Sequence, residues 1–206
     1  MSLCLHIHPE DPQPRLIQTA ALHVKKGAVI VFPTDSGYAL GCHLNDKGAT
    51  DRIRSIRQLS EKHHFTLMCR DLSEIATYAF VDNPTYRLLK AHTPGAYTFL
   101  LKATPEVPRR LQQAKRKTIG VRVPDCKTAL HLLEELQEPL MSVSLIMPGK
   151  VDPLFDPEEI YNHIHKMVDV IIDGGYTPAQ PTSIIDLSSS QPIILREGKG
   201  DLTDFR

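Results

Sequence analysis

Two arginines in otherwise apolar segments are the first residues of this sequence whose chemistry needs an explanation. Arg122 lies within TIGVRVP, and Arg196 closes PIILR. Because an unpaired charge is very costly in a protein interior, a buried arginine needs an anionic partner. Two interpretations stay open. One is a structural ion pair with Asp125, Asp186 or Glu197. The other is a shared cavity in which both guanidinium groups bind a carboxylate or a phosphate.

Small hydroxyl residues stand at the ends of several apolar segments. In VIVFPTDSGYALG, Thr34 follows the apolar run and glycines flank Tyr38. Ser142 and Ser144 close PLMSVS, and PTS (181–183) opens a further segment. Hydroxyl groups can hydrogen-bond an amino acid or a ribose without adding charge. The PTDS segment is therefore either an ordinary tight turn or the edge of a pocket at the carboxyl end of a strand.

The overall charge of the chain gives no reason to expect a nucleic acid or a membrane as a partner. Lys plus Arg and Asp plus Glu each number 24, with 41% hydrophobic and 23% charged residues, as in ordinary globular proteins. An RNA surface would need a local basic patch. Lys115, Arg116 and Lys117, beside TIGVR, form the best candidate, with Arg109 and Arg110 nearby. The alternative is that this basic run is simply solvated.

Common catalytic and metal-binding motifs are absent from the sequence. It has no GxxxxGK followed by Ser or Thr, no GxGxxG, no GxSxG and no HExxH. His6 and His8 share one side of a predicted strand, but such a pair more often lies on the surface, so no metal site is expected. The four cysteines lie far apart, and no apolar run reaches membrane length. These features favour a reduced, cytoplasmic protein without membrane contact.

The elements that must position these residues alternate along the chain, with more strands than helices. Strands are predicted at LCLHIH, VIVF, FTLMC, YTFLLKA, TIGVRV, PLMSVS, VDVIID, SIIDL and PIILRE, and GYALG is predicted as a loop. Helix starts are predicted at Pro14, Asn45 or Asp46, Ser73, Asp82 and Asp156, with a further helix at KTALHLLEEL. Several connections are too short for a helical crossover. The pattern therefore predicts one α/β domain, residues 1–206, with a twisted mixed sheet and flanking helices.

Five ordered blocks of the sequence resemble the YrdC/YciO family. They are VKKGAVIVFPTDSGYALG, TPGAYTFLLKA, TIGVRVPD, PLMSVS and PTSIIDLSSSQPIILREG. The chain length and the LHIHPEDPQPR opening are similar to the bacterial YciO branch of that family. The resemblance implies a YrdC/RibB-like twisted sheet around a concave, electropositive cavity. It also implies a relationship to threonylcarbamoyl-AMP synthases, which join L-threonine, bicarbonate and ATP and release pyrophosphate, in a pathway of transfer RNA modification.

The resemblance also implies roles for individual residues of this chain. Thr34, Tyr38, Arg122 and Ser142 fall on the substrate-binding wall, where Arg122 faces the threonine carboxylate. Nucleotide contacts are implied for Thr118, Ser144, Thr182 and Arg196. Arg57 and Ser144 fall on catalytic positions. ATP, with Mg²⁺, is implied as a substrate rather than as a tightly bound cofactor.

Departures from the family pattern affect the region where pyrophosphate would leave. The second basic position of the Lys-x-Arg-Pro motif is Leu59, and the asparagine of the family's STSAN block is Ile146. A family histidine that contacts threonine is replaced by Met68 or Cys69. Arg54, Lys62, His63 and His64 are the neighbouring bases that would have to compensate.

Two functions follow from these observations. The first is a nucleotide-binding protein of the threonylcarbamoyl-AMP synthase type, with reduced turnover because transition-state donors are missing. The second is a non-catalytic protein that binds a nucleotide or double-stranded RNA, or transfer RNA, in the same basic cavity. For the second, the basic run at Lys115, Arg116 and Lys117 would neutralise backbone phosphates.

Overall fold

A computed structural model of the chain describes residues 2–60, 63 and 65–206. The strands are β1 Leu3–His6, β2 Ile30–Thr34, β3 Gly37–His43, β4 Thr66–Met68, β5 Tyr97–Lys102, β6 Thr118–Arg122, β7 Leu140–Ser144, β8 Val170–Asp173, β9 Ser183–Asp186 and β10 Ile193–Arg196. The helices are α1 Pro14–Lys25, α2 Lys47–Arg57, α3 Leu72–Tyr78, α4 Asn83–His92, α5 Lys127–Leu136 and α6 Pro157–Ile164. Short 3₁₀ turns cover Arg109–Leu111 and Thr203–Phe205.

Within the described residues the strands form one sheet, in the order β1-β8-β2-β3-β7-β4-β6-β5-β9-β10. The pairs β1–β8, β2–β8, β4–β6 and β5–β9 are parallel, and the remaining neighbours are antiparallel. This arrangement confirms the predicted mixed α/β fold. It also explains why helices connect some strands and tight turns connect others.

Side-chain caps begin four of the helices. Asp46 accepts a hydrogen bond from the backbone N–H of Ala49, and Asp82 and Asp156 cap α4 and α6 in the same way, as predicted. The predicted cap at Ser73 is wrong. Asp71 caps α3 instead, through the N–H of Glu74, because its carboxylate stands one residue before the first helical residue.

The segment predicted as a loop after VIVF is instead a strand. β3 pairs with β2 from Gly37↔Thr34 to Gly41↔Ile30, so the two strands form a hairpin with Asp35 and Ser36 at its turn. Gly37 has φ of +106°, a conformation that a side chain would strain. The apolar and small residues of β3 are buried on both faces, which removes the alternation by which strands are recognised.

Helices cover only half of one sheet face. α1 and α5 pack against each other there, and Ile17, Ala20 and Val24 of α1 are fully buried with Leu132 of α5. Their apolar cluster reaches β1, β8, β2 and β3, and it includes Met68 at the end of β4 and Leu140 at the start of β7. Next to this cluster, on β4, β5, β6, β7 and β9, the same face carries the cavity described below.

No helix in the described part of the chain is long and apolar enough to cross a membrane.

Candidate functional site

The floor of the cavity is made of small side chains on neighbouring strands. Ser142 of β7 pairs with Thr66 of β4, and Thr66 pairs in turn with Gly120 of β6. Thr98 of β5 then hydrogen-bonds Thr182, just before β9, with 3.0 Å between their hydroxyl oxygens. A Cβ at Gly120 would lie 2.9 Å from Thr66 Oγ1, so only glycine leaves these strands at their present distance. The missing side-chain volume in this row creates the concave surface.

The inner end of the cavity is a narrow recess of about 30 Å³ around Arg122. Its lining includes Thr34, Tyr38, Met68 and Ser142. Thr34 Oγ1 donates to the carbonyl of Gly37 over 2.6 Å, which fixes the hydroxyl at the recess wall. Met68 lines the recess, whereas its neighbour Cys69 lies in the core and outside this lining.

Arg122 has a carboxylate partner, but not one that the sequence suggested. Its Nη2 donates to Asp35 Oδ1, and both side chains are buried. Asp125, Asp186 and Glu197 are not its partners, because the β2–β3 turn places Asp35 against the end of β6. Arg122 Nε is buried and has no hydrogen-bond partner among the described residues. The Nε–H is therefore one of the guanidinium donors that remain for a ligand.

The outer lobe of the cavity is larger, about 310 Å³, and carries two further guanidinium groups. Arg196 donates from Nε to the carbonyl of Thr182 over 2.9 Å and from Nη2 to Thr182 Oγ1 over 3.0 Å. Arg57, the last residue of α2, has a buried Nε without a hydrogen-bond partner among the described residues. Ser144 and Ile146 lie in the same lining.

Electrostatics distinguish the two regions of the cavity. Burial lowers the pKa of Arg122, although the charge of Asp35 opposes that shift. Burial also lowers the pKa of Arg57 and of Arg196, and in Arg196 the charge of Arg122 adds to the effect. No carboxylate occurs in the described lining of the outer lobe. The described lining of the outer lobe is therefore electropositive, and its two half-buried guanidinium groups are partly desolvated, which suits phosphate groups.

The structure brings together most of the residues predicted from the sequence. Those in one continuous cavity are Arg57, Thr34, Tyr38, Arg122, Ser142, Ser144, Thr182 and Arg196. Ser142, Ser144 and Thr182 lie in the lining of both the recess and the outer lobe, so the two regions are joined. Tyr38 is almost wholly buried, and its hydroxyl donates to the carbonyl of Gly175 over 2.7 Å.

Thr118 and the basic run lie farther along the sheet. Thr118 is buried at the start of β6, opposite Lys102, and is not part of the cavity lining. Lys115, Arg116 and Lys117 are exposed just before it, and Arg116 Nη1 lies 2.9 Å from Asp186 Oδ2 at the end of β9. Because β9 also carries Ile184 of the outer lobe, the run lies beyond one end of the cavity.

The structure also describes Leu59 and Ile146, two of the positions that depart from the family pattern. Leu59 is half-buried against the main apolar core and is outside the cavity lining, whereas Ile146 lines the outer lobe. Arg54 lies over the ring of Phe65, with Cζ 4.6 Å from the ring centroid, and His63 lines the outer lobe. Lys62 and His64 lie outside the described residues.

Two hydroxyl residues of the cavity, Thr66 and Thr98, and the carboxylate partner of Arg122, Asp35, were not identified as site residues from the sequence. Thr66 and Thr98 are single hydroxyl residues inside apolar strands, and that interruption is the signal by which they could have been found. Asp35 gave no such signal, because carboxylates are ordinary turn residues. The described residues include no cluster of three or more His, Cys, Asp or Glu side chains that could hold a metal ion.

Comparisons with known proteins agree with this fold and cavity. A family model for Sua5, YciO and YrdC proteins, described as "Telomere recombination", matches residues 23–198. The uncharacterized protein YciO of Escherichia coli is 58% identical over the whole of both chains. Its crystal structure matches with a TM-score of 0.98 at 57% identity, again over the whole of both chains.

More distant relatives carry a functional name. A threonylcarbamoyl-AMP synthase of Pyrococcus abyssi is 27% identical, over 88% of this chain and 54% of its own length. The structure of P. abyssi Sua5 in complex with L-threonine matches with a TM-score of 0.89 at 25% identity, over 96% of this chain and 58% of that chain. The family model and the YciO similarity together show that this chain belongs to the Sua5/YciO/YrdC family.

Proposed function

We propose that the cavity binds ATP in its outer lobe and L-threonine toward the recess, and that the chain forms threonylcarbamoyl-AMP slowly. The observation that carries this proposal is the pair Arg57 and Arg196 in one lobe. Neither has a carboxylate partner in the part of the chain that the structure describes, and both are partly withdrawn from water. Two partly desolvated guanidinium groups without a carboxylate partner among the described residues support an anionic ligand.

The recess supports an amino acid as the second ligand. Arg122 Nε is the unpartnered donor for a carboxylate, while Asp35 keeps the rest of the guanidinium oriented. Thr34 and Ser142 add neutral hydroxyl groups. The printed names of the distant relatives, a threonylcarbamoyl-AMP synthase and a Sua5 protein bound to L-threonine, support threonine as that amino acid.

In the proposed reaction, the amine of L-threonine takes up bicarbonate with loss of water to form a carbamate. A carbamate oxygen then attacks the α-phosphate of ATP, and pyrophosphate leaves. Arg196 and Arg57 would hold the phosphates, and Ser144 would donate a hydrogen bond at the transferring group. Because no carboxylate lines the described outer lobe, Mg²⁺ would enter as its complex with ATP rather than on a protein site.

Slow turnover follows from the side chain at position 146. Ile146 presents hydrocarbon to the outer lobe, and hydrocarbon cannot stabilise the negative charge that develops as pyrophosphate leaves. Ground-state binding of ATP would be less affected, because the arginines and hydroxyl groups remain. Binding and turnover are therefore expected to separate in this protein.

Calorimetric titration tests the binding part of the proposal. Wild-type protein should bind one equivalent of ATP·Mg²⁺ and, separately, one of L-threonine. Arg196→Met should lower the affinity for ATP and leave the affinity for L-threonine nearly unchanged. Arg122→Lys should lower the affinity for L-threonine and leave that for ATP nearly unchanged, since a lysine cannot reproduce the planar fork of an arginine. Absence of ATP binding at millimolar concentration, or equal losses for both ligands in each variant, would overturn the two-region assignment.

A second candidate function is binding of double-stranded RNA. The observation that favours it is the exposed run at Lys115, Arg116 and Lys117, which lies beyond one end of an electropositive cavity. Lysines on such a rim can neutralise backbone phosphates without reading sequence.

A further inference from the structure

A second cavity, of about 330 Å³, lies on the other side of the Thr34–Asp35 turn. It is formed where three strands that share one direction end. Glu10 follows β1, Asp35 follows β2, and Thr177 follows β8. β8 lies between β1 and β2 and is parallel to both. In α/β proteins, crevices at the carboxyl ends of parallel strands are preferred ligand sites.

The amino terminus of α5 is also part of this cavity. The helix has ten residues, and its first two, Lys127 and Thr128, lie in the lining. The preceding residue, Cys126, makes no side-chain cap of regular hydrogen-bond geometry, and only its weakly accepting thiol lies near the backbone N–H groups of Thr128 and Ala129. The first backbone N–H groups of a helix have no partner within it, and their dipoles favour negative charge. This end of the cavity is therefore suited to an anionic group.

Two buried hydroxyl groups in the lining give independent support for a ligand. Thr128 is 1% exposed, and its Oγ1 has no hydrogen-bond partner among the described residues. The Oγ1 of Thr177, across the cavity, is also buried without a partner there. A buried hydroxyl that makes no hydrogen bond destabilises the fold. A ligand that supplies an acceptor at this point would remove that cost.

The charges in the lining indicate what else the ligand carries. Glu10 is neutralised by Lys127, whose Nζ lies 2.9 Å from its Oε2, and Asp35 is neutralised by Arg122. Asp125 is exposed at the cavity and takes part in none of the ion pairs of the described residues. A purely anionic ligand would be repelled by this carboxylate, whereas a ligand that also carries a cation would be attracted.

We propose that this second cavity is a binding site for a small zwitterion of the α-amino-acid type. Its carboxylate would accept hydrogen bonds from the α5 amino terminus and from Thr128, and its ammonium group would face Asp125. The site is separate from the recess around Arg122, although Thr34 contributes to the walls of both.

Amide chemical shifts measured by NMR during titration with glycine and L-serine test this proposal. We expect saturable shifts at Lys127 and Thr128. Acetate and methylamine, which carry one charged half each, should bind at least about tenfold more weakly than glycine, because each lacks a charge-assisted contact. Asp125→Asn should lower the affinity for glycine but not the affinity for acetate, since the substitution removes only the partner of the ammonium group.

Thr128→Val is the second variant, and it separates binding from structure. It should lower the affinity for glycine by about tenfold. The melting temperature should stay the same or rise, because the variant removes a buried hydroxyl without a partner. Thr19→Val, at a helical threonine outside this cavity, should leave glycine binding unchanged. No saturable shift at the α5 amino terminus, acetate binding as tight as glycine, or unchanged binding in Thr128→Val would each overturn the proposal.

Discussion

Arg122 is buried and Arg57 is half-buried, and the two arginines differ in whether a carboxylate is paired with them. Arg122 is paired with Asp35, so the ion pair supports the β2–β3 turn and leaves other donors of the guanidinium, Nε–H among them, for a ligand. Arg57 has no such partner among the described residues, and burial lowers its pKa. We expect a half-buried arginine without an anionic partner to gain more from a bound anion than one that is already paired.

The first prediction concerns Arg57→Met. Because the substitution removes a desolvated charge and keeps much of the apolar stem, the melting temperature should stay the same or rise. The affinity for ATP should fall about 10- to 100-fold, as for loss of a hydrogen bond to a charged group, about 1.5–3 kcal/mol. Calorimetry and thermal unfolding check both parts. Arg87→Met, at an exposed position of α4, is the control and should change neither.

The second prediction concerns Ile146→Asn, which restores a donor in the outer lobe. Pyrophosphate release should rise by about 100-fold, and ATP affinity should change far less, because the new hydrogen bond strengthens as charge develops. Leu59→Arg is not expected to help, since Leu59 packs against the core instead of lining the cavity. Val151→Asn, at an exposed position, is the control. A folded Ile146→Asn protein with unchanged turnover would contradict this account of the slow reaction.

At the scale of elements, the sequence identified the strands that alternate with helices but missed β3. Helix starts at Asp46, Asp82 and Asp156 were predictable, because capping is decided by neighbouring residues. The β2–β3 hairpin was not, because Pro33 suggested the end of a strand. Pro33 is tolerated since the ladder from β2 to β8 covers only Ile30 and Val31, so its missing N–H breaks no hydrogen bond on that side.

The third prediction concerns Gly198, which follows β10 and holds the start of β9 in place. Its N–H donates to Ser183 Oγ over 3.0 Å, and a Cβ here would lie 2.3 Å from the carbonyl oxygen of Pro181. Gly198→Ala should lower the free energy of unfolding by about 1–3 kcal/mol, as in overpacked sites. It should also lower the affinity for ATP, because Thr182 and Arg196 would shift. Denaturant unfolding and calorimetry measure these effects.

The control for that prediction is Gly48→Ala in the first turn of α2. The nearest atom to a Cβ there is Asp46 Oδ1, at 3.4 Å, and alanine is favoured over glycine in helices. Stability should therefore be equal or slightly higher. If Gly198→Ala were as stable as Gly48→Ala, the close contact with Pro181 would not be a constraint on the cavity wall.

At the scale of the whole molecule, the cavity exists because helices cover only half of the sheet face. The sequence pointed to many of its polar residues, since they interrupt apolar segments. Its extent was not predictable, because the strand order that places β7, β4, β6, β5 and β9 side by side depends on contacts between distant segments. The pairing of Arg122 with Asp35 was missed for the same reason, as 87 positions separate the two residues.

The fourth prediction concerns the basic run and RNA. Arg116 should be left intact, because Asp186 is buried and would lose its partner. Lys115→Gln with Lys117→Asn should reduce the slope of log affinity for duplex RNA against log salt by about two, one for each lost phosphate contact. Asparagine is chosen because Lys117 has φ of +53°. Filter binding at several salt concentrations measures the slope.

Lys26→Gln with Lys90→Gln, at an exposed position just after α1 and an exposed position of α4, is the matched control for that double variant. It removes the same charge from the molecule. If both double variants lower the slope equally, net charge and not the basic run governs RNA binding.

Pyrophosphate release from ATP, with L-threonine and bicarbonate present or omitted singly, tests the proposed function most directly. The threonylcarbamoyl-AMP synthase of P. abyssi serves as the reference. We predict release that requires all three substrates, at a rate about 100-fold or more below that of the reference, since one transition-state donor is missing. Release that continues without L-threonine, or no release above that of a protein-free control, would contradict the proposal that this cavity joins the two ligands.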